Sequence, residues 1–434
     1  MKMQFVGKKQ IRHGAALVFP GNIAPKASEF EYLASLGIQV TGSTPPHDNA
    51  LWALILQHPK WGSATARCLR NPRPIPDVVL KHSYQLLPSD RARAHGGLPY
   101  VFIEALPRSG NPLRDRKTAF RWMRALLGSD GLIAMEPTSL RLWSPATLDE
   151  EICHDADLDI ESLFTIHVVT EDGKPKWLHT HGLAEVGLWD FDVVRPSAYL
   201  AGHAASDFTR AVAFNIAVGN ISRTTENFRL FAPDGDVRFV DIAEFNRKAA
   251  AADRAVRDED LTHNQDRAIL CQPRKGKGRL SRLFDRPVPC KSLSQTPEHM
   301  MMMFPGSATI LMAERARQTY ALFRRLCAEF AEFRIAPIAK IGYQIDGGKE
   351  AQLEHMWFEV HALAEDHLEA TLTNQPTRIA SMKKGDRGNH SAARLTDWAI
   401  LTPAGTINPR NFVPARILRE LPPEQRGKFT QQKS

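Results

Sequence analysis

His179-Thr180-His181 is the stretch of this chain whose side chains are best suited to chemistry. Two histidines two apart on a strand point to the same face, so their imidazoles can share one ion. After ten intervening residues, Asp192 would add a carboxylate as third ligand. A fourth position would remain for water, which is the minimal plan of a catalytic zinc site. The same residues also suit a half-exposed strand, with His179 and His181 satisfied by neighbouring carbonyls or carboxylates.

The elements that must position the histidines are legible nearby. Leu163 to Thr170 and Lys176 to Gly182 read as two strands around Glu171-Asp172-Gly173-Lys174, and an Asp-Gly tip is a strong hairpin signal. A two-residue turn at Asp172-Gly173 sets Ile166 opposite His179 and sends His167 to the other face. One extra residue reverses that parity and brings His167 beside His179. Both registers remain open at the level of sequence. Upstream, Ala15 to Phe19 reads as a strand and Arg116 to Leu127 as an amphipathic helix stopped by Gly128. Leu132 to Trp143 reads as two short strands turning near Glu136-Pro137.

The run Trp177, His179, Thr180, His181 with Asp192 resembles the JAB/MPN zinc metallopeptidases over about sixteen residues. The resemblance implies metal ligands His179, His181 and Asp192, with a glutamate upstream as general base. Glu136 is the first candidate for that base and Glu161 the second. The sequence departs from the family at Gly182, where proline is usual, and at Trp189, where a serine helps hold the tetrahedral intermediate.

Elements alternate without a strict β-α-β rhythm, which predicts an α+β fold. The expected organisation is an N-terminal mixed α/β-sheet region, 1–160, continuous with the histidine-containing 161–246. A basic linker, 247–305, then leads to a small bent sheet with one packed helix, 306–412, and a flexible tail, 413–434. Arg70 to Gly97, rich in proline and arginine, reads as a surface excursion. In the C-terminal part, the carriers of a second resemblance are Lys340, Glu354-His355-Met356-Trp357 with Glu359-Val360, Asn374-Gln375-Pro376, Lys384-Gly385-Asp386 and Asp397-Trp398. From about Ala308 to Asn411 the chain resembles the YegJ-like family of bacterial domains of unknown function. The family implies a fold and carries no established activity. Glu354, His355 and Trp357 read as strand residues that pack, and Gly385 as a turn glycine.

The chain has 434 residues and a formal net charge of +8. That balance permits an anionic partner, for which the basic stretch Arg274 to Lys291 is the candidate contact. No recognised nucleic-acid-binding signature, Walker loop or dinucleotide fingerprint occurs. Cys68, Cys153, Cys271, Cys290 and Cys327 are odd in number and widely spaced, which predicts reduced thiols and a cytoplasmic location without membrane contact. The short apolar run Ala15 to Phe19 does not read as a signal-peptide core. The sequence therefore predicts a non-catalytic binding or interaction protein with no established cofactor. The alternative is a zinc-dependent hydrolase, an amidase or peptidase, using the His-x-His and Asp192 plan.

Overall fold

The computed structural model describes residues 13–44, 49–83, 85–106, 109–153, 158–172, 174–194, 202–223, 228–229, 236–249, 267–274, 285–290, 306–348 and 352–426. They build an α+β fold with three sheets that follow one another along the chain. The first holds β1 (His13–Phe19), β2 (Gln39–Ser43), β3 (Ala50–His58), β4 (Gly62–Leu69), β5 (Leu98–Leu106), β6 (Ile133–Met135) and β7 (Leu142–Trp143), in the order β2-β3-β4-β5-β1-β6-β7. The second holds β8 (Thr165–Glu171), β9 (Lys174–His181), β10 (Asp190–Val194), β11 (Phe228–Arg229), β12 (Asp236–Asp241) and β13 (Arg267–Cys271), in the order β11-β12-β13-β10-β9-β8. The third holds β14 (Ala336–Gln344), β15 (Leu353–Leu363), β16 (His367–Leu372), β17 (Arg387–Ser391), β18 (Leu395–Thr402) and β19 (Gly405–Ile407), in the order β17-β16-β15-β14-β18-β19.

One apolar core joins the first two sheets, with Leu17, Phe120, Trp143, Leu178, Phe191 and Phe214 all within it. The helix Pro112–Leu127 contributes Leu113, Phe120, Met123 and Leu127 to this core. Their spacings of seven, three and four residues keep them on one face of the helix. Asn111 starts the helix by accepting from the backbone N–H groups of Leu113 and Arg114, with Pro112 in the first turn. The proline-rich stretch after Arg70 forms two short helices, Asp77–His82 and Pro88–Ala94. Leu80, Leu86 and Ala94 there pack with Val18 and Leu132 in a smaller core.

The third sheet has its own core, with Phe323 stacked on Trp398 at 4.9 Å and the Trp398 indole N–H donating to Thr319. Two helices pack on this sheet where one was expected: Gly306–Gln318 and Tyr320–Glu329, broken at Thr319. The expected tail also folds in part. Val413–Glu420 is a helix whose Ala415 and Leu418 enter the core. Its buried Arg416 donates to Thr147 of the N-terminal region at 2.9 Å. The helix follows from the apolar spacing of Pro414, Ala415 and Leu418, which the surrounding charge obscures. Nor is 247–305 simply a linker. Its charged residues flank Arg267–Cys271, a fully buried strand between β10 and β12. Met300 to Met303 and most of the basic arm, 275–284 with Lys291, lie outside the described residues. At the arm's described ends, Asp285 pairs with Arg238 at 2.7 Å and with Arg274 at 3.6 Å. Among the described residues no helix is long and apolar enough to cross a membrane.

The β8–β9 hairpin decides which side chains meet. Glu171 pairs with Lys174, so its tip is two residues long, and Asp172 takes a positive φ of 52° there. That turn alone would place Ile166 opposite His179. The ladder then shifts, with Thr170 opposite Pro175 but Val169 opposite Trp177. The exposed Lys176 is the extra residue of a β-bulge. A bulge sets two residues against one and changes the parity of everything beyond it. His167 therefore stands opposite His179, and Thr165 opposite His181.

After His181 the chain turns sharply at Gly182, whose φ is 109°. A Cβ there would lie 2.6 Å from the Leu163 carbonyl oxygen. Proline, whose ring fixes φ near −65°, does not fit this conformation. We predict that Gly182→Ala lowers unfolding stability by about 1–3 kcal/mol in urea titrations. An unchanged midpoint would contradict the strained turn.

Candidate metal centre

β8 and β9 together present His167, His179 and His181 on one face, because directly opposed residues of an antiparallel pair share a side of the sheet. One ligand nitrogen from each ring lies within 4.8 Å of the other two. The ring centroids are 5.2 Å apart for His167 and His179, 4.6 Å for His167 and His181, and 4.8 Å for His179 and His181. His179 and His181 are buried, with Trp177 packed on His179 at 4.3 Å. His167 is half-buried and lines a groove of about 480 Å³ between β8, the 139–142 turn and the helix Asp77–His82.

Asp192, on β10, also stands opposite His179. Its carboxylate is engaged elsewhere. Arg267 donates to one oxygen through a terminal nitrogen at 2.5 Å and approaches the other through Nε at 3.3 Å. Both side chains are almost completely excluded from solvent. The same guanidinium donates to the Thr180 carbonyl at 3.0 Å. Such a fork-to-fork pair compensates two buried charges at once. The structure thus groups His179 and His181 with His167, and commits Asp192 to Arg267. Asp190 is buried too, and accepts from the Leu183 and Ala184 backbone N–H groups at 3.3 Å each. Burial raises its carboxyl above the ordinary carboxylate range, with Arg267 opposing that shift. Trp189 packs edge-on to Phe239 at 5.9 Å, as a core residue rather than a stand-in for a hydroxyl.

Glu136, the first general-base candidate, is fully buried at the end of β6. It is ion-paired with Arg116 and accepts from the Ser139 hydroxyl at 2.7 Å. Arg116 also reaches Glu185 at 3.5 Å, and burial pushes the Glu185 carboxyl up to about 7. Glu161, the second candidate, pairs with Arg210 at 3.4 Å and lines a separate cavity of about 630 Å³ together with Arg410. Burial raises its carboxyl, and the neighbouring Asp159 adds to the effect. Both glutamates are thus paired with arginines, Glu136 with Arg116 and Glu161 with Arg210.

Three participants were not singled out from sequence. Arg267 lies in a charged stretch whose composition masks the buried strand it belongs to. Arg116 and Ser139 carry no local motif that marks them as partners of Glu136. A signal for the histidine register was present in Pro175. Proline cannot donate to a ladder, and inside a strand run it marks a bulge or an edge.

In the third sheet, Glu354 accepts from the Thr377 and Arg378 backbone N–H groups at 2.8 and 2.9 Å, and His355 bonds Thr396 at 3.1 Å. Lys340 lies over the Trp357 ring at 5.6 Å. Gly385 takes a φ of 93° in the turn between β16 and β17. These residues tie strands and turns together. Residues 308–433 match a family model, DUF2314, described as an uncharacterized protein conserved in bacteria. The match covers the third sheet with its helices and stops short of the histidines. No curated protein matches the chain, and no solved structure does.

The Asp192–Arg267 pair yields a direct test. Asp192→Asn leaves a buried guanidinium without its counter-charge and should cost about 3–5 kcal/mol of stability. Adding Arg267→Met should recover much of that loss in urea unfolding, a coupling that independent sites would not show.

Proposed function

We propose that this chain is a metal-binding protein that holds one zinc-class divalent ion on His167, His179 and His181. The observation that carries this reading is the convergence of three imidazole nitrogens within 4.8 Å on paired strands. A tetrahedral zinc with nitrogen ligands at about 2.0–2.1 Å sets them about 3.4 Å apart. Modest rotation of the rings would close the difference. An all-imidazole set suits zinc, copper or nickel better than magnesium or calcium, which take oxygen ligands. The half-buried position of His167 directs the remaining coordination position toward the groove.

Binding without turnover is the function this arrangement supports best. The zinc-hydrolase plan suggested by the JAB/MPN resemblance would require Asp192 on the ion and a base next to it. Asp192 is held by Arg267, and Glu136 by Arg116 and Ser139. We assign the protein to the cytoplasm, a reading supported by five cysteines that form no disulfide, among which Cys68, Cys271 and Cys290 are buried. The C-terminal unit, YegJ-like in sequence, would act as an interaction module, and the stretch Arg274 to Lys291 would meet an anionic partner.

Protein purified without a polyhistidine tag and dialysed against zinc should retain one zinc per chain by elemental analysis. His167→Ala, His179→Ala or His181→Ala should abolish that stoichiometry, whereas folded Asp192→Asn should keep it. Affinity should fall as the solution is acidified, because imidazoles must lose protons to bind. Folded wild-type protein that takes up no zinc would refute the site.

A further inference from the structure

His167 Nε2 lies 3.1 Å from the carbonyl oxygen of Ser139. A carbonyl oxygen only accepts, so Nε2 must carry the proton and donate it. In a neutral imidazole the lone pair is then on Nδ1. A metal-ligating histidine characteristically gives its other N–H to such an acceptor, which fixes both tautomer and ring orientation.

The turn that presents the Ser139 carbonyl is held from several sides. It joins β6 to β7, and in it the Glu136 N–H donates to the Arg141 carbonyl at 2.9 Å and the Leu140 N–H to the Glu136 carbonyl at 2.8 Å. Leu140 takes a positive φ of 54° there. The Ser139 hydroxyl donates to Glu136 at 2.7 Å and accepts from the Arg141 N–H at 3.3 Å. Glu136 is anchored in turn by Arg116 on the core helix. On the far side, Arg141 donates to the carbonyls of Glu161, Ser162 and Phe164 at 2.9, 3.1 and 3.1 Å, just before β8 begins. The turn is therefore clamped both to the helix and to the root of the strand that carries His167.

We infer that Glu136 and Ser139 are positioning residues for the metal centre, presenting the Ser139 carbonyl so that His167 meets the ion through Nδ1. This rests on the three-histidine reading above. Glu136 takes no proton from substrate in this account. It keeps a buried turn in the one conformation that selects the liganding nitrogen. The Arg116 charge lets the Glu136 carboxylate stay buried while it does so. Removing an outer-shell partner of this kind weakens metal binding by about 10–100-fold.

The test uses the full chain labelled with ¹⁵N-histidine and loaded with zinc. Long-range ¹H–¹⁵N spectra should show His167, assigned through its contacts with Ser139, protonated at Nε2 and zinc-bound at Nδ1. Zinc competition titrations should show Glu136→Gln binding about 10–100-fold more weakly. Ser139→Ala, which keeps the carbonyl but loses the hydroxyl tie, should be weakened less. Both variants are compared under conditions where circular dichroism shows them folded. A merely structural role would lower their melting temperature and leave affinity and the His167 tautomer unchanged, which overturns the inference. Zinc on His167 Nε2 overturns it as well while sparing the metal site. Wild-type protein that binds no zinc removes the site and the inference together.

Discussion

A single extra residue in one strand underlies the arrangement of the candidate centre. Lys176 bulges from β9, and every residue from Trp177 to His181 consequently meets β8 in the opposite parity from that set by the two-residue tip. Without the bulge, Ile166 would face His179 and the third imidazole would point away. With it, two neighbouring strands deliver three imidazoles to one face, with their nitrogens within 4.8 Å of one another. Because the side-chain period of a strand is two, no smaller adjustment could achieve this.

Around that face the protein buries several charges and neutralises them locally. Arg267 meets Asp192, Arg116 meets Glu136, and Arg238 meets Asp285. Each pair is costly to desolvate and costlier to break, so each fixes its strands or turns in one arrangement. The Arg267 pair bridges β13 to β10 and, through the Thr180 carbonyl, to β9. The Arg116 pair bridges the core helix to the turn beneath His167. Nearby, His13 is buried and pushed down to about 3 by burial and by Arg116, so it stays neutral and adds no positive charge to this interior.

Much of the fold was legible in the residues. The strand at Ala15, the helix ending at Gly128, the hairpin around Asp172 and the α+β character follow from periodicity and turn chemistry. The α+β fold is what the structure has. The candidate ligand set was only half legible. His179 and His181 announce themselves by spacing, but the third histidine depends on a bulge that Pro175 hints at and does not prove. Asp192 was an attractive third ligand because its apparent freedom could be judged only once Arg267 was placed, and Arg267 lies 75 residues further on. For Glu136, likewise, the sequence shows the carboxylate but not its partner Arg116. Long-range charge pairing leaves little local trace in sequence, unlike helices and turns.

The central claim is that three histidines, brought together by the bulge, form one metal centre. An anomalous difference map at the zinc edge, from crystals of the zinc-loaded chain, tests it most directly. The account predicts one strong peak bounded by His167, His179 and His181, with Asp192 still on Arg267. Zinc ligated by Asp192, or zinc bound elsewhere with those three rings apart, would contradict it.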